Sequence, residues 1–106
     1  NATGGFGPWL VTTDDIPDPD ALTVTTRLNG EQMQFGQFND VAFNIPTLIS
    51  YVSRALPWCA GDVIVTGTPG GVGFKRQPPI FLKEGDVVEV EVNLVGTLVN
   101  TVANEI

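Results

Sequence analysis

The most regular pattern along the chain is an alternation of apolar and polar residues near its end. Valine or leucine stands at positions 88, 90, 92 and 94, with glutamate or asparagine between them. A period of two is typical of a strand that buries one face. Gly96 then allows a turn into residues 97–103, which completes a predicted closing hairpin.

A second hairpin is predicted around Asn29 and Gly30, because these two residues adopt the positive φ values of a type I′ turn at little cost. β-Prone residues flank them over 22–35. A two-residue loop would give three pairs: Leu28 with Glu31, Thr26 with Met33, and Val24 with Phe35. That register would place Val24, Met33 and Phe35 on one half-buried face.

The remaining elements follow from spacing and from helix breakers. Residues 46–56 are predicted as the one helix, since apolar residues recur there at helical spacing, Pro46 suits a first helical position, and Pro57 and Gly61 follow. The apolar run 63–65 predicts a short strand buried on both faces, and residues 9–13 form a β-prone run. With six or seven strands and one helix, the predicted fold class is α+β, dominated by β structure.

Composition narrows the possible functions. The 106 residues predict one small domain, and a net charge of −7 argues against nucleic-acid binding, which needs a basic face. The chain has no histidine, so it offers neither an imidazole base nor a Cys/His zinc site. It contains no apolar run long enough to span a membrane, and no signal segment opens it. We expect no membrane partner and a cytoplasmic location.

The most informative chemical feature is the glycine-rich segment 66–73, which follows the apolar run and reads TGTPGGVG. Glycine lets a backbone approach a ligand closely, and the N–H groups and hydroxyls of such a loop can hold an anionic oxygen. It is neither a P-loop nor a dinucleotide fingerprint, since the required spacings are absent. On these residues alone, a tight loop without a ligand is as plausible as a carboxylate site.

Other polar residues have simpler explanations. Glu89 and Glu91 share one strand face and could ligate one cation, but the valines between them face the core, so a solvated polar face is the better account. Cys59 is expected to be a small packed residue, because no histidine lowers its pKa. Asn39 and Asp40 could place a carboxylate in a cleft, although a turn or capping role is commoner. The large aromatic residues are expected in the core or at a subunit contact: Phe6, Trp9, Phe35, Phe38, Phe43 and Trp58.

The order of the motifs resembles the C-terminal half of the fumarylacetoacetate hydrolase family. The match extends over nearly the whole chain, and its most specific part is the segment from Gly61 to Gly73. The matching segments are GPWLVT at 7–12, DIPD at 15–18, NG at 29–30, YVSR at 51–54, GDVIVTGTPGGVG at 61–73 and LKEGDVVEVE at 82–91.

The resemblance implies a β-rich fold, the family's mixed β-sheet roll, and assembly as a dimer or larger oligomer. It implies an enzyme that acts on 2-oxo or β-diketo acids by C–C hydrolysis, decarboxylation or isomerisation, with aromatic catabolism as the expected setting. A divalent cation (magnesium, manganese or calcium) would hold the oxo-acid end of the substrate. In that scheme Gly67 and Thr68 match the positions that touch the carboxylate or oxo group of the substrate.

The resemblance also implies that essential parts lie outside this chain. The family's metal ligands, a Glu-x-Glu pair and an aspartate, belong to the other half, as do its catalytic residues, so neither role is assigned to Glu89, Glu91 or any other residue here. The chain begins at Asn1, and Met33 is its only methionine. We therefore expect residues 1–106 to be the C-terminal portion of one catalytic domain, inactive without its N-terminal half. The alternative is a noncatalytic β-rich binding or oligomerisation module.

Overall fold

A computed structural model of the chain describes residues 4–104. Its centre is a four-stranded sheet in which every neighbouring pair is antiparallel, in the order β2-β1-β3-β4. The strands and the one α-helix are β1 (Thr23–Leu28), β2 (Glu31–Gln37), α1 (Ile45–Val52), β3 (Val87–Val92) and β4 (Gly96–Thr101). The predicted fold class, a β-dominated α+β fold with one helix, is therefore confirmed.

The number of strands differs from the prediction. Residues 4–104 contain four strands rather than six or seven, because neither the 9–13 run nor the 63–65 run pairs with the sheet. Thr13–Asp15 is a short 3₁₀ turn, and Val63 and Val65 are 57% and 88% exposed. Both runs have strand-forming side chains, but a strand also needs a neighbouring strand to receive its backbone hydrogen bonds.

The first hairpin forms, but its register differs from the prediction after two pairs. Asn29 and Gly30 have φ values of 53° and 83°, as a type I′ turn requires, and Leu28 pairs with Glu31. Thr26 then pairs with Gln34 and Val24 with Gly36, because a β-bulge leaves Met33 without a partner. The predicted shared face of Val24, Met33 and Phe35 is therefore wrong: Phe35 lies opposite Thr25, on the other face.

Helix α1 is shorter than the predicted range of 46–56. The Asn44 side chain accepts the N–H of Thr47 at 2.9 Å, so the helix begins at Ile45 and Pro46 is its second residue. It ends at Val52, since the Ser53 hydroxyl donates to the Ile49 carbonyl and Pro57 disfavours helical backbone just before it. In residues 4–104 we find no helix with the length and apolar character to cross a bilayer.

The two faces of the sheet differ in chemistry. Val24, Thr26 and Leu28 of β1 lie opposite the valines of β3 at 92, 90 and 88, and this inner face carries the apolar side chains. The outer face carries Arg27, whose guanidinium makes a 2.7 Å ion pair with Glu91. The alternation predicted for β3, with valines inward and glutamates outward, is confirmed.

Much apolar surface is left uncovered. The chain exposes 8350 Å², whereas a folded monomer of its mass would expose about 5,700 Å². Leu22 is the one buried apolar residue among those described. Five of the six aromatic residues expected in the core or at a subunit contact are exposed: Phe6, Trp9, Phe35, Phe43 and Trp58. Exposed apolar surface on this scale is typical of a surface that another polypeptide covers.

The glycine-rich segment packs directly on β2. The carbonyl of Met33, which the bulge leaves without a strand partner, accepts a hydrogen bond from the Arg76 guanidinium. That guanidinium also donates to the Gly71 carbonyl at 3.1 Å. A Cβ added at Gly71 would collide with the same Met33 carbonyl, and one added at Gly36 would lie 2.9 Å from Pro69. The segment can approach the strand this closely only because both positions are glycine.

A second set of contacts joins the first hairpin to the start of β3. The Asn29 side chain donates to the Asp86 carboxylate at 3.0 Å and accepts the N–H of Val87 at 2.8 Å. The N–H of Lys83 donates to the other carboxylate oxygen of Asp86 at 3.0 Å. Asp86 is 6% exposed. The hydrogen bond from Asn29 has the largest effect on its carboxyl group, and together with the one from the Lys83 backbone it holds the pKa of Asp86 below the ordinary value.

Replacing Gly71 by alanine is expected to destabilise the whole protein by about 2–4 kcal/mol, since a side chain there is both strained and overpacked. Gly71 has a φ of +100° and no room for a Cβ. Gly70→Ala is the matched control, because a Cβ at Gly70 meets no atom within 4 Å. Denaturant unfolding of the two variants measures the difference. Equal stabilities would contradict the close packing of this segment on β2.

Stability is expected to fall in acid as Asp86 becomes protonated. Its pKa is lowered in the folded state, so its contribution is complete above the unfolded value of about 4 and is lost as the pH falls through the folded value. Asp86→Asn is expected to lower the melting temperature at pH 7 and to flatten its dependence between pH 3 and pH 6. Asp15→Asn, at an exposed aspartate, is the control. Parallel profiles for wild type and Asp86→Asn would contradict the assignment.

Candidate functional site

A cavity lies between the inner face of the sheet and the first part of the glycine-rich segment. Its volume is about 860 Å³, and valines of β1 and β3 form its floor. Residues 66–70 form one wall, and residues 38 and 40–42, which follow β2, also line the cavity. An apolar cleft with a few polar groups at its rim is the usual form of a small-molecule site.

Gly67 and Thr68, the two residues that the resemblance implies for substrate contact, both line this cavity. A Cβ built at Gly67 would meet no atom within 4 Å, so the space beside its backbone is open. Thr68 places a hydroxyl at the same wall. The segment therefore offers a hydroxyl and an accessible stretch of backbone to one cavity, which are groups that can bind a carboxylate or oxo oxygen.

Gln34 of β2 ties this wall to the sheet. Its side-chain amide donates to the Thr68 hydroxyl oxygen at 3.0 Å and to the Pro69 carbonyl at 2.8 Å. Gln34 is half-buried and lines the cavity itself. The amide thus fixes the position of Thr68 from a strand rather than from a neighbouring loop.

Gln34 was not among the predicted site residues, because the predicted register placed it on the outer face. Without the bulge it would lie opposite Thr25, whereas in the structure it lies opposite Thr26 on the inner face. One signal was available: glutamine stands at three positions of β2, namely 32, 34 and 37, in a segment expected to bury one face. A polar residue inside a half-buried strand needs a partner, and here that partner is the glycine-rich segment.

Asp40 also reaches the cavity. Phe38–Asp40 forms a 3₁₀ turn directly after β2, and Asp40 lines the same cavity as residues 66–70. Both possibilities considered for Asn39 and Asp40 therefore hold in part: the segment is a turn, and it brings a carboxylate to the rim of the cleft. Because Asp40 is exposed, it remains available to a polar group of a ligand.

The residues that the structure describes do not provide a cation site. Glu89 and Glu91 project from the outer face of β3, away from the cavity, and Glu91 is paired with Arg27. Over positions 4–104, no three histidine, cysteine, aspartate or glutamate side chains come together in a way that could ligate a metal. A divalent cation of the kind the resemblance implies therefore does not fit the donors present here, and we assign it no residue.

Cys59 differs from the prediction of a packed residue. It is exposed, and its backbone N–H donates to the Asp62 carboxylate at 2.8 Å in a turn between α1 and the glycine-rich segment. The expectation of burial is wrong because the segments around it, including Leu56 and Val63, are themselves uncovered. Cys59 does not line the 860 Å³ cavity, so it plays no part in the candidate site.

Comparison with known proteins places this geometry in context. A family model described as the C-terminal part of fumarylacetoacetate hydrolase matches residues 1–103. The mitochondrial oxaloacetate tautomerase FAHD2A of Homo sapiens is 47% identical over 97 residues, which are 92% of this chain and 31% of the relative. The chain thus spans about a third of the length of the curated relatives it matches.

Two solved structures share the fold. The fumarylacetoacetate hydrolase of Exiguobacterium antarcticum superposes with a TM-score of 0.89 at 43% identity, covering 94% of this chain and 36% of that one. The maleylpyruvate hydrolase of Sphingobium sp. SYK-6, in complex with manganese(II) and pyruvate, gives a TM-score of 0.79 at 32% identity, covering 90% and 33%. Because the family model matches nearly the whole length of this chain, the chain belongs to the fumarylacetoacetate hydrolase family and corresponds to its C-terminal region.

Proposed function

We propose that this chain is the substrate-carboxylate wall of an enzyme that acts on 2-oxo or β-diketo acids. The observation that carries the proposal is the cavity of about 860 Å³ whose wall presents Gly67 and Thr68. The proposed reaction is C–C hydrolysis, decarboxylation or isomerisation, and aromatic catabolism is its proposed setting. Relatives named as an oxaloacetate tautomerase and a maleylpyruvate hydrolase support an acidic oxo compound as the substrate.

In this proposal the chain's own residues bind and orient the acid. The Thr68 hydroxyl donates to a carboxylate or oxo oxygen, and the backbone beside Gly67 lets that oxygen approach without a steric clash. The valines of β1 and β3 exclude water from the carbon skeleton. Catalytic acids and bases are proposed to come from elsewhere in the protein, so residues 1–106 alone are inactive.

The proposed whole protein is larger than this chain in two respects. Residues 1–106 form the C-terminal portion of one catalytic domain, whose N-terminal half covers the uncovered apolar surface, including Val65 and Leu56. The assembled enzyme is a homodimer or a higher oligomer. A cytoplasmic location belongs to the proposal as well, although the human relative is named as a mitochondrial protein.

A divalent cation (magnesium, manganese or calcium) is the proposed cofactor, with all of its ligands outside this chain. The support is the manganese(II) in the maleylpyruvate hydrolase structure, together with the lack of a fitting donor set in positions 4–104. When bound, such an ion would act as a Lewis acid toward the oxo-acid end of the substrate.

The whole protein is expected to turn over oxaloacetate or an acylpyruvate only when magnesium or manganese is present. Treatment with a chelator should abolish turnover, and added metal should restore it. The double variant Glu89→Gln, Glu91→Gln is the control, since neither glutamate faces the cavity, and it is expected to keep the same metal requirement. A rate that survives chelation would contradict the cofactor proposal. A whole protein that processes no oxo acid would instead favour the noncatalytic module.

Thr68→Val keeps the shape of the side chain and removes its hydroxyl. It is expected to weaken substrate binding by on the order of 1–3 kcal/mol, because the substrate oxygen loses its donor. Steady-state kinetics of the whole protein measure the change as a higher KM. Thr66→Val, at the other threonine of the same wall, is the control for hydroxyl loss. Unchanged kinetics in Thr68→Val would remove Thr68 from the site.

A further inference from the structure

We infer that Gln34 is a positioning residue that determines the direction in which the Thr68 hydroxyl donates its proton. The inference rests on the proposed function, because it concerns how the same wall receives an acidic oxygen. It adds a residue on a different strand, which approaches the hydroxyl from the sheet side of the cavity.

The orientation of the Gln34 amide follows from its second partner. The Pro69 carbonyl can only accept a hydrogen bond, so the amide group 2.8 Å from it must be the NH₂. The same nitrogen lies 3.0 Å from the Thr68 hydroxyl oxygen. An NH₂ group has two protons, and these two partners take one each.

The consequence concerns the hydroxyl of Thr68. A hydroxyl has one proton and two lone pairs, and the Gln34 amide occupies one lone pair. The hydroxyl proton cannot point back toward the NH₂, so it is left to one of the other directions around the oxygen of a residue that lines the cavity. Gln34 thereby leaves Thr68 ready to donate, and a donor is what a carboxylate or oxo oxygen requires.

Both partners of the contact between Gln34 and Thr68 are held in place by other interactions. Gln34 belongs to β2, where the bulge at Met33 turns it inward opposite Thr26. The segment that carries Thr68 is held on the same strand through Arg76, which donates to the carbonyls of Met33 and Gly71. The amide and the hydroxyl are therefore two side chains whose backbones are both held at β2, which limits how far they can move apart.

The test compares two substitutions at Gln34 with the same substitutions at Gln32 in the whole protein. Gln32 lies on the same strand but is exposed on the outer face. Gln34→Met removes both donors. Gln34→Glu keeps the shape but replaces the donor by an acceptor, which would draw the Thr68 proton away from the cavity. Turnover of oxaloacetate with manganese gives kcat and KM, and thermal melting reports the fold.

Gln34→Met is expected to raise KM about five- to tenfold with kcat changed less than about twofold, since binding of the acid weakens before the reaction begins. Gln34→Glu is expected to raise KM further. Gln32→Met and Gln32→Glu are expected to match wild type in kcat and KM. They control for the effect of the added charge and of a substitution in β2 as such. In a Thr68→Val background, Gln34→Met should add less than about a twofold effect, because the hydroxyl it positions is gone.

Four results would overturn the inference. An active wild type in which Gln34→Met matches Gln32→Met would remove Gln34 from the site while leaving the proposed function intact. Equal effects of Gln34→Met with and without Thr68→Val, or a melting temperature and kcat that fall together, would assign Gln34 a structural role. A wild-type protein that processes no oxo acid would overturn the proposed function, and this inference with it.

Discussion

The candidate site depends on the close approach of the glycine-rich segment to strand β2. That approach requires glycine at 36 and 71, since a side chain at either position would press on Pro69 or on the carbonyl of Met33. It is held by the Arg76 guanidinium and the Gln34 amide, each of which bridges two groups. If the segment lay further away, neither donor could reach it, and the wall of the cavity would lose its fixed position.

The β-bulge connects this packing to the chemistry of the cavity. A bulge leaves one residue unpaired, and here the free carbonyl of Met33 receives Arg76 instead of a strand neighbour. The same irregularity changes which residues of β2 face inward, so that Gln34 lies over the inner face and Phe35 does not. One extra residue in the strand therefore supplies both an anchor for the segment and the amide that contacts Thr68.

Features that depend on neighbouring residues in the sequence could be predicted, whereas features that depend on distant residues could not. The turn at Asn29 and Gly30 follows from the φ values those residues tolerate, and β3 follows from its alternation. The glycine-rich pattern indicated that residues 66–73 form a loop whose backbone can be approached closely, whereas the choice of Gly67 and Thr68 within it came from the family resemblance. The bulge was not predictable, since it is stabilised by Arg76, which lies 43 residues from Met33. Without the bulge, the inward-facing residues of β2 could not be predicted correctly, and Gln34 was therefore not recognised as a residue of the cavity.

The uncovered surface and the fixed wall are formed by different residues, and this division has a physical meaning. The anchors of the wall all come from residues 33–76 of the chain itself, so the wall does not need a partner to take its shape. Helix α1 and the 63–65 run, in contrast, have apolar side chains with nothing over them. Burial of that surface can drive association, while the wall loses little conformational entropy on ligand binding because it is already ordered. In the proposed enzyme, the same short chain would therefore supply both a surface for association and a preorganised side of a binding cavity.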